Sequence, residues 1–305
     1  IQDSLVGSEM CIRDRSKALG FIGLGVMGFP MAGHLANQNN NISVFNRTLE
    51  KSKTWNAKYK GVICNTPAEL AKLSDVIMIC IGNDNDVRDV ISGKDGMIDH
   101  LNPRSIIIDH TTTSSELALE MNELLNHKDI FYIDAPVSGG EAGAQSGQLS
   151  IMAGGDKEAF NSIKNILEPY TKFIKYMGPS GSGQQTKMVN QICIAGLIQA
   201  LAEGVNFSKK VGLNTQDVLE VVSKGAAQSW QMENRWETMT QNKYDYGFAV
   251  DLMRKDLDII LKEADKSNIS LDVTKIINEF YKDIQDAEGG RWDTSSLLKR
   301  LEELT

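Results

Sequence analysis

Cysteine and histidine are scarce, with four of each among 305 residues. Cys11, Cys64, Cys80 and Cys193 are widely separated and make no C-x-x-C pair, and His34, His100, His110 and His127 show neither H-x3-H nor H-E-x-x-H spacing. The chain therefore encodes no disulfide framework and no zinc site, and no metal is expected. Cys80 and Cys193 lie inside apolar segments and read as buried thiols, which fits a reducing, cytoplasmic setting. Basic charge is in deficit too: 32 Lys and Arg against 40 Asp and Glu give a formal net charge of -8 and a pI near 5.2. Without a broad positive footprint, nucleic acid is excluded as a partner. The longest apolar run, around residues 76–81, is far short of the ~20 residues that a membrane span requires, so no membrane helix is expected.

What is present describes a folded, soluble chain. A hydrophobic content of 41%, a charged content of 24% and a mean hydropathy of -0.25 are too apolar for intrinsic disorder. At 33.6 kDa the chain exceeds the usual single domain, so two are expected. Residues 1–16 are expected to stand apart as a non-native or disordered leader. Their charges at Asp3, Glu9, Arg13, Asp14 and Arg15 rule out a signal peptide, and SLVGSEMCIRDR resembles a translated sequencing-adapter artefact.

From Lys17 onward, short β-rich runs alternate with amphipathic stretches. Strands are predicted at 18–23, 42–45, 75–81, 105–109, 131–137, 150–155 and 172–177, with a helix-like stretch to Gln38, a second helix after 45, a third from about Ser114 and a fourth at about 157–167. This is βαβ rhythm, and runs such as DVIMICI are apolar throughout, as parallel strands covered on both faces should be. After Gly178 the strand pattern stops. One long helix is predicted at about 183–211, followed by helices at 215–223, 229–240, 248–266, 271–287 and 294–303, with Thr215 and Thr294 as N-caps. The reading is an α/β Rossmann-type domain at 17–178 and an all-α domain at 179–305, joined by the long interdomain helix.

FIGLGVMGFPMAGHL sets Gly23, Gly25 and Gly28 in G-x-G-x-x-G spacing, after a strand and at the opening of a helix. Gly23 permits the tight turn, Gly25 lets a pyrophosphate approach the backbone, and Gly28 lets helix pack on strand. Leu24, Val26 and Met27 complete this cofactor-binding turn. Asn46, 18 residues beyond Gly28, stands near where an NAD-binding fold keeps an acid for the ribose 2′-hydroxyl. No carboxylate is there. Asn46 does not repel a 2′-phosphate and Arg47 supplies planar cationic donors for it, so Asn46, Arg47 and Thr48 favour NADP, with NAD as the alternative.

The chain resembles the β-hydroxyacid dehydrogenase family, which includes 3-hydroxyisobutyrate dehydrogenase and tartronate semialdehyde reductase, over residues 17–305. The resemblance rests on FIGLGVMGFPMAGHL (21–35), DHTTTS (109–114), DAPVSGG (134–140) and GPSGSGQQTKMVNQ (178–191), with RKDL (254–257) further on. It implies that Lys187 is the catalytic lysine. Read alone, Lys187 is an oddly placed cation near the start of an apolar helix, with Asn190 and Gln191 at i+3 and i+4 on its face as substrate-binding candidates. Its ammonium can protonate a carbonyl oxygen as hydride arrives, and its amine can take the proton back. Ser138, Gly139 and Gly140 leave backbone N–H groups free for an anion, and the resemblance gives this segment to a small carboxylate substrate.

Thr112 follows a strand at the carboxyl edge of the sheet and is placed beside the nicotinamide. Ile81 and Gly82 stand where the family has leucine-proline, in a loop that lines the cofactor, and His34 replaces a frequent asparagine. Lys255 matches a family lysine that reaches the cofactor from the helical domain. In GAAQSWQMENRW the roles of Gln228 and Trp230 stay open between core, dimer contact and substrate pocket. The activity implied is NADP-dependent interconversion of a small β-hydroxy acid and its semialdehyde or keto acid. An imine-reducing enzyme on this scaffold is the first rival, against which Lys187 speaks; the second is an idle NADP-sensing module, which would need neither Lys187 nor DAPVSGG. The stretch ICIAGLIQAL (192–201) is apolar nearly all round, so a homodimer or homotetramer is expected.

Overall fold

Nine strands form a single sheet in the computed structural model, which describes residues 17–38 and 41–303. The leader expected at 1–16 lies outside the described residues. The strands are β1 (Leu19–Ile22), β2 (Ile42–Phe45), β3 (Val62–Ile63), β4 (Val76–Ile79), β5 (Ile106–Asp109), β6 (Phe131–Asp134), β7 (Val137–Ser138), β8 (Leu149–Gly155) and β9 (Thr171–Gly178). Helices α1 (Gly28–Asn37), α2 (Leu49–Tyr59), α3 (Pro67–Lys72), α4 (Asp84–Ser92), α5 (Ser115–Asn126), α6 (Gly140–Ser146) and α7 (Lys157–Leu167) connect them. The order β3-β2-β1-β4-β5-β6 is parallel throughout, the doubly wound order whose switch point lies between β1 and β4.

Alternate residues of these strands enter two separate cores. Phe21, Met78, Ile108 and Ile133 pack on one face with Trp55 and Leu35, while Ile22, Ile77, Ile107 and Tyr132 pack on the other with Leu70 and Met121. Burial on both faces explains the unbroken apolar runs of the sequence. The sheet is not wholly parallel, however. The run predicted at 131–137 breaks at Ala135 into β6 and β7, the backbone turns through Gly139 and Gly140 at φ +135° and +62°, and β8 returns antiparallel to β6 and β7. β9 then pairs parallel to β8 at the edge.

Beyond β9 the chain is helical: α8 (Ser182–Lys210), α9 (Thr215–Val222), α10 (Trp230–Thr240), α11 (Val250–Lys266), α12 (Asp272–Asp286) and α13 (Leu297–Glu303). Two expected caps are corrected by one residue. The side chain of Asn214, not Thr215, receives the first N–H groups of α9, and that of Asp293, not Thr294, receives Ser295 N–H before α13. Carboxamide and carboxylate oxygens are the better acceptors there.

By length and composition α8 is apolar enough to cross a membrane, although no single unbroken apolar run in the sequence is. Its N-terminal end packs on β8, β9 and α5, and its length on α10, α11, α12 and α13. Ala195, Ile198, Ala202 and Val205 of α8 share a core with Met232, Trp236, Leu257, Tyr281 and Leu297. The pattern is that of a central packing helix. Cys193, expected to be buried, lies on the exposed side of α8, and Cys80 is half-buried, with burial pushing its thiol up to about 12.

Candidate active site

The glycine-rich turn opens directly from β1. A Cβ on Gly23 would lie 2.2 Å from the Cys80 carbonyl oxygen, and one on Gly28 would lie 1.9 Å from the Gly23 carbonyl oxygen. Both positions are closed to side chains by backbone, whereas nothing stands within 4 Å of a Cβ on Gly25. That open direction at the start of α1 is the cradle an anionic pyrophosphate needs, so the turn fits a dinucleotide. Leu24 N–H donates to Asn46 Oδ1 (2.8 Å), and Asn46 Nδ2 donates to the Thr48 carbonyl (3.0 Å). The Asn46 carboxamide thus ties the turn to the loop after β2. Thr48 and Arg47 are exposed, as is Val26 beside them, and Arg47 Nη1 lies 3.3 Å from Asp86 Oδ1.

The carboxyl edge of the sheet supplies the next wall. Ile81 N–H donates to Thr111 Oγ1 (3.1 Å), and Thr111 N–H donates to Asp109 Oδ1 (2.9 Å). Asp109 also accepts from the Tyr132 hydroxyl (2.7 Å), yet burial raises its pKa to about 6. His110 Nδ1–H donates to the Ala135 carbonyl (2.7 Å), leaving Nε2 to accept from the Tyr170 hydroxyl (2.9 Å). Burial holds this imidazole neutral, with its pKa pushed down to about 4. On the far side, His34 Nε2 faces the carbonyls of Ala144 (3.0 Å) and Gln145 (3.1 Å), fastening α1 to the end of α6.

From the helical side, Lys255 on α11 crosses to this edge. Its Nζ donates to the carbonyls of Thr112 (2.7 Å) and Gly82 (3.2 Å) and pairs with Asp256 Oδ1 (3.1 Å). Lys255, Ile81, Gly82 and Thr112 are therefore brought together.

The start of α8 is fixed by a residue of β6. Asp134 Oδ1 accepts from Gly181 N–H (2.8 Å) and Oδ2 from Gln184 N–H (2.9 Å), which fills the role of a helix cap from across the fold. Burial raises the Asp134 pKa to about 6 despite these bonds. Gly183 allows the approach, since a Cβ there would meet the Asp134 carbonyl at 2.4 Å. Gln184 then bonds Thr111 and Thr113 through both ends of its carboxamide, at 2.8 and 3.1 Å.

One turn on, Lys187 is 8% exposed and its Nζ donates to the Val137 carbonyl (3.0 Å). Burial lowers its pKa to about 8; Asp256 acts against the shift and Lys255 with it. Beside Val137, Ser138 Oγ donates to Asn190 Oδ1 (3.3 Å), Asn190 Nδ2 to Gln191 Oε1 (2.8 Å) and Gln191 Nε2 to Asp256 Oδ2 (2.7 Å). A continuous polar chain thus runs from the Ser138-Gly139-Gly140 turn through α8 and α11 to the sheet edge. A lysine near pKa 8 exchanges a proton readily near neutral pH, as general acid–base chemistry requires.

Gln228 and Trp230 do not join this chain. Both are exposed, and the Trp230 ring lies beneath the Arg235 guanidinium at 5.3 Å. Asp134, Gln184 and Asp256 are central to the site and went unread, although each sits inside a motif already noted. No cluster of metal-ligating side chains occurs among the described residues.

The family model described as the NAD binding domain of 6-phosphogluconate dehydrogenase matches residues 18–178. The model described as NAD-binding of NADP-dependent 3-hydroxyisobutyrate dehydrogenase matches residues 181–301. An uncharacterized oxidoreductase of Shewanella frigidimarina is 50% identical over 282 residues, 92% of this chain and 97% of that one. The 2-hydroxy-3-oxopropionate reductase of Escherichia coli is 33% identical over 288 residues, 93% of this chain and 97% of its own. Among solved structures, 3-hydroxyisobutyrate dehydrogenase of Mycobacterium tuberculosis with L-serine superposes with a TM-score of 0.85 at 25% identity, covering 93% of this chain and 99% of that one.

Proposed function

The chain belongs to the β-hydroxyacid dehydrogenase family and is an NAD(P)-dependent dehydrogenase acting on CH–OH groups; from that premise we propose that it interconverts a small β-hydroxy acid and its semialdehyde or keto acid, with NADP(H) as cofactor and Lys187 as general acid and base. The observation that carries this reading is the buried Lys187 ammonium, held one residue from the Ser138-Gly139-Gly140 turn. A substrate whose carboxylate takes the free N–H groups of that turn and the Ser138 hydroxyl keeps its β-oxygen within reach of α8.

When bound, the nicotinamide supplies or accepts the hydride. In reduction, Lys187 gives its proton to the carbonyl oxygen; in oxidation, the neutral amine takes the hydroxyl proton. Asn190 and Gln191 orient the substrate, and Lys255 holds the Gly82 and Thr112 carbonyls at the cofactor edge. The substrate named for the Escherichia coli relative, 2-hydroxy-3-oxopropionate, has this pairing of carboxylate and β-aldehyde. A panel of 3-hydroxy acids and semialdehydes, followed by nicotinamide absorbance with each cofactor, tests the proposal. Turnover of none, with cofactor binding intact, sinks it.

Arg47 at the end of β2 supports the choice of NADP(H), since a guanidinium fits a phosphate and no acid replaces it at Asn46. The protein should use NADP(H) more efficiently than NAD(H). Arg47→Leu should erode that preference about tenfold, chiefly through cofactor KM, because a contact with the 2′-phosphate is made equally in ground and transition states. Equal use of both cofactors by the parent protein contradicts the assignment.

A homodimer or homotetramer is part of the same reading. Val189 and Phe207 on α8 are 61% and 65% exposed, and Val273 and Ile276 on α12 are 65% and 53% exposed. Gly196 and Ala200 lie between them in a shallow groove, and space at Gly196 is open enough for a second helix to approach. A second copy packing on this face buries these exposed apolar side chains. Light scattering at micromolar protein should give an oligomer, and Ala200→Arg with Ile276→Asp should give a monomer. A monomeric parent protein counts against the interface.

A further inference from the structure

We infer that Asp86 sets how strongly the enzyme discriminates NADP(H) from NAD(H), by competing for Arg47; the inference rests on the cofactor site proposed above. Asp86 lies in the first turn of α4, across the sheet edge from the end of β2. Its Oδ1 is 3.3 Å from Arg47 Nη1, and its Oδ2 accepts from Asn83 Nδ2 at 3.2 Å. Asn83 Oδ1 in turn accepts the Asp86 N–H at 3.1 Å, so the carboxylate is held on a capped helix start. The carboxylate is only 27% exposed, against 87% for the Arg47 side chain. Asp86 is the fixed partner, and the guanidinium comes to it.

Gly82 makes room for this arrangement. A Cβ at position 82 would stand 2.3 Å from Asp86 Oδ2, so a side chain there drives the carboxylate out of its place. The loop cannot retreat freely, because Ile81 N–H is tied to Thr111 and the Gly82 carbonyl to Lys255. Glycine at 82 and aspartate at 86 therefore belong to one device. It places an acid beside the pocket where the end of β2, at Asn46, has none.

The consequence is a difference between the two cofactors. A 2′-phosphate must take Arg47 away from Asp86 and then sit near a second negative charge. A 2′-hydroxyl carries no charge and can donate to the carboxylate, the bond an acid at the end of β2 makes in NAD-binding folds. Asp86 thus weakens the preference that Arg47 creates.

Asp86→Asn should raise the NADP-to-NAD ratio of kcat/KM by about 3–10-fold, the size expected for one carboxylate near a phosphate in a solvated pocket. The same shift should appear without turnover, as tighter binding of adenosine 2′,5′-bisphosphate relative to 5′-AMP by calorimetry. Gly82→Ala, which displaces the carboxylate, should move the ratio the same way. In an Arg47→Leu background the effect of Asp86→Asn should diminish, because the competition for the guanidinium is lost and only the direct action of the carboxylate on the 2′-group remains. A rise of less than threefold in either ratio on Asp86→Asn, or an undiminished effect without Arg47, overturns the inference. These outcomes are separate from the cofactor preference itself. A parent protein that favours NAD(H) contradicts the NADP assignment, while a shift on Asp86→Asn still establishes the control by Asp86.

Discussion

Lys187→Ala should lower kcat by ~10²–10⁴-fold, the usual span for a positioned proton donor, while still folding and still binding NADPH by fluorescence. The fold should survive because the lysine is a burden to it. With its pKa lowered to about 8 from 10.5, the unfolded chain holds more protons than the native one between those values. Stability from this group therefore rises with pH across that window, and below it the buried charge costs stability.

The same value sets the pH profiles. Reduction needs the ammonium, so its kcat should fall as pH rises through about 8; oxidation needs the amine and should rise through the same value. Lys187→Arg should not rescue activity, since arginine keeps the charge and releases no proton near neutrality. A kcat within a few fold of the parent in Lys187→Ala, or a rescue by arginine, removes lysine from proton transfer. It also removes the reason for preferring a hydroxy acid over an imine as substrate.

Asp293→Ala should cost the protein ~3–5 kcal/mol of stability, the range for removing one partner of a buried ion pair. Asp293 is fully buried and accepts from Arg235 Nε and Nη2, both at 3.0 Å, from Phe248 N–H at 2.9 Å and from Ser295 N–H at 3.0 Å. Its loss strands a guanidinium that is itself only 8% exposed, together with two backbone donors. The neighbouring backbone is committed to this carboxylate as well: Gly247 has φ +75°, and a Cβ there would lie 2.1 Å from Asp293 Oδ2.

The effect should reach the active site. Asp251 N–H and Val250 N–H at the start of α11 bond the carbonyls of Gly290 and Trp292, so the segment carrying Asp293 also seats the helix of Lys255 and Asp256. A thermal melt should show Tm lowered by on the order of 10 °C. Asp293→Leu combined with Arg235→Met should recover much of the loss, since an apolar pair leaves no stranded charge. A Tm within about 2 °C of the parent for Asp293→Ala contradicts the account.

The features legible in the sequence are those whose physics is local. The turn at Gly23, Gly25 and Gly28 could be read because its constraints act between residues a few positions apart, ending in a Cβ that would meet backbone at 1.9 Å. The long helix, predicted at 183–211, runs Ser182–Lys210 because its apolar periodicity and its glycine-rich start are both encoded within the segment. The short elements β3, α3 and α6, held by neighbours rather than by their own pattern, were not predicted, and neither was α4, although it is amphipathic.

Tertiary structure alone decided which polar residue meets which. Gln191 reaches Asp256 across 65 positions, Asp134 caps α8 from 50 positions away, Arg235 finds Asp293 across 58 and Arg47 finds Asp86 across 39. No periodicity announces such a pair, because either partner alone looks like any charged or amide side chain. The first two arise where the sheet edge and the helical unit close on one another, and Arg235–Asp293 within the helical unit, where burial makes an unpaired polar group costly, while Arg47 and Asp86 meet at the surface. By itself the sequence determined the scaffold and the glycine-rich turn, and marked Lys187 as a candidate for proton transfer. The proton-bearing environment of that lysine, and the carboxylate opposite Arg47, were decided only when distant segments packed together.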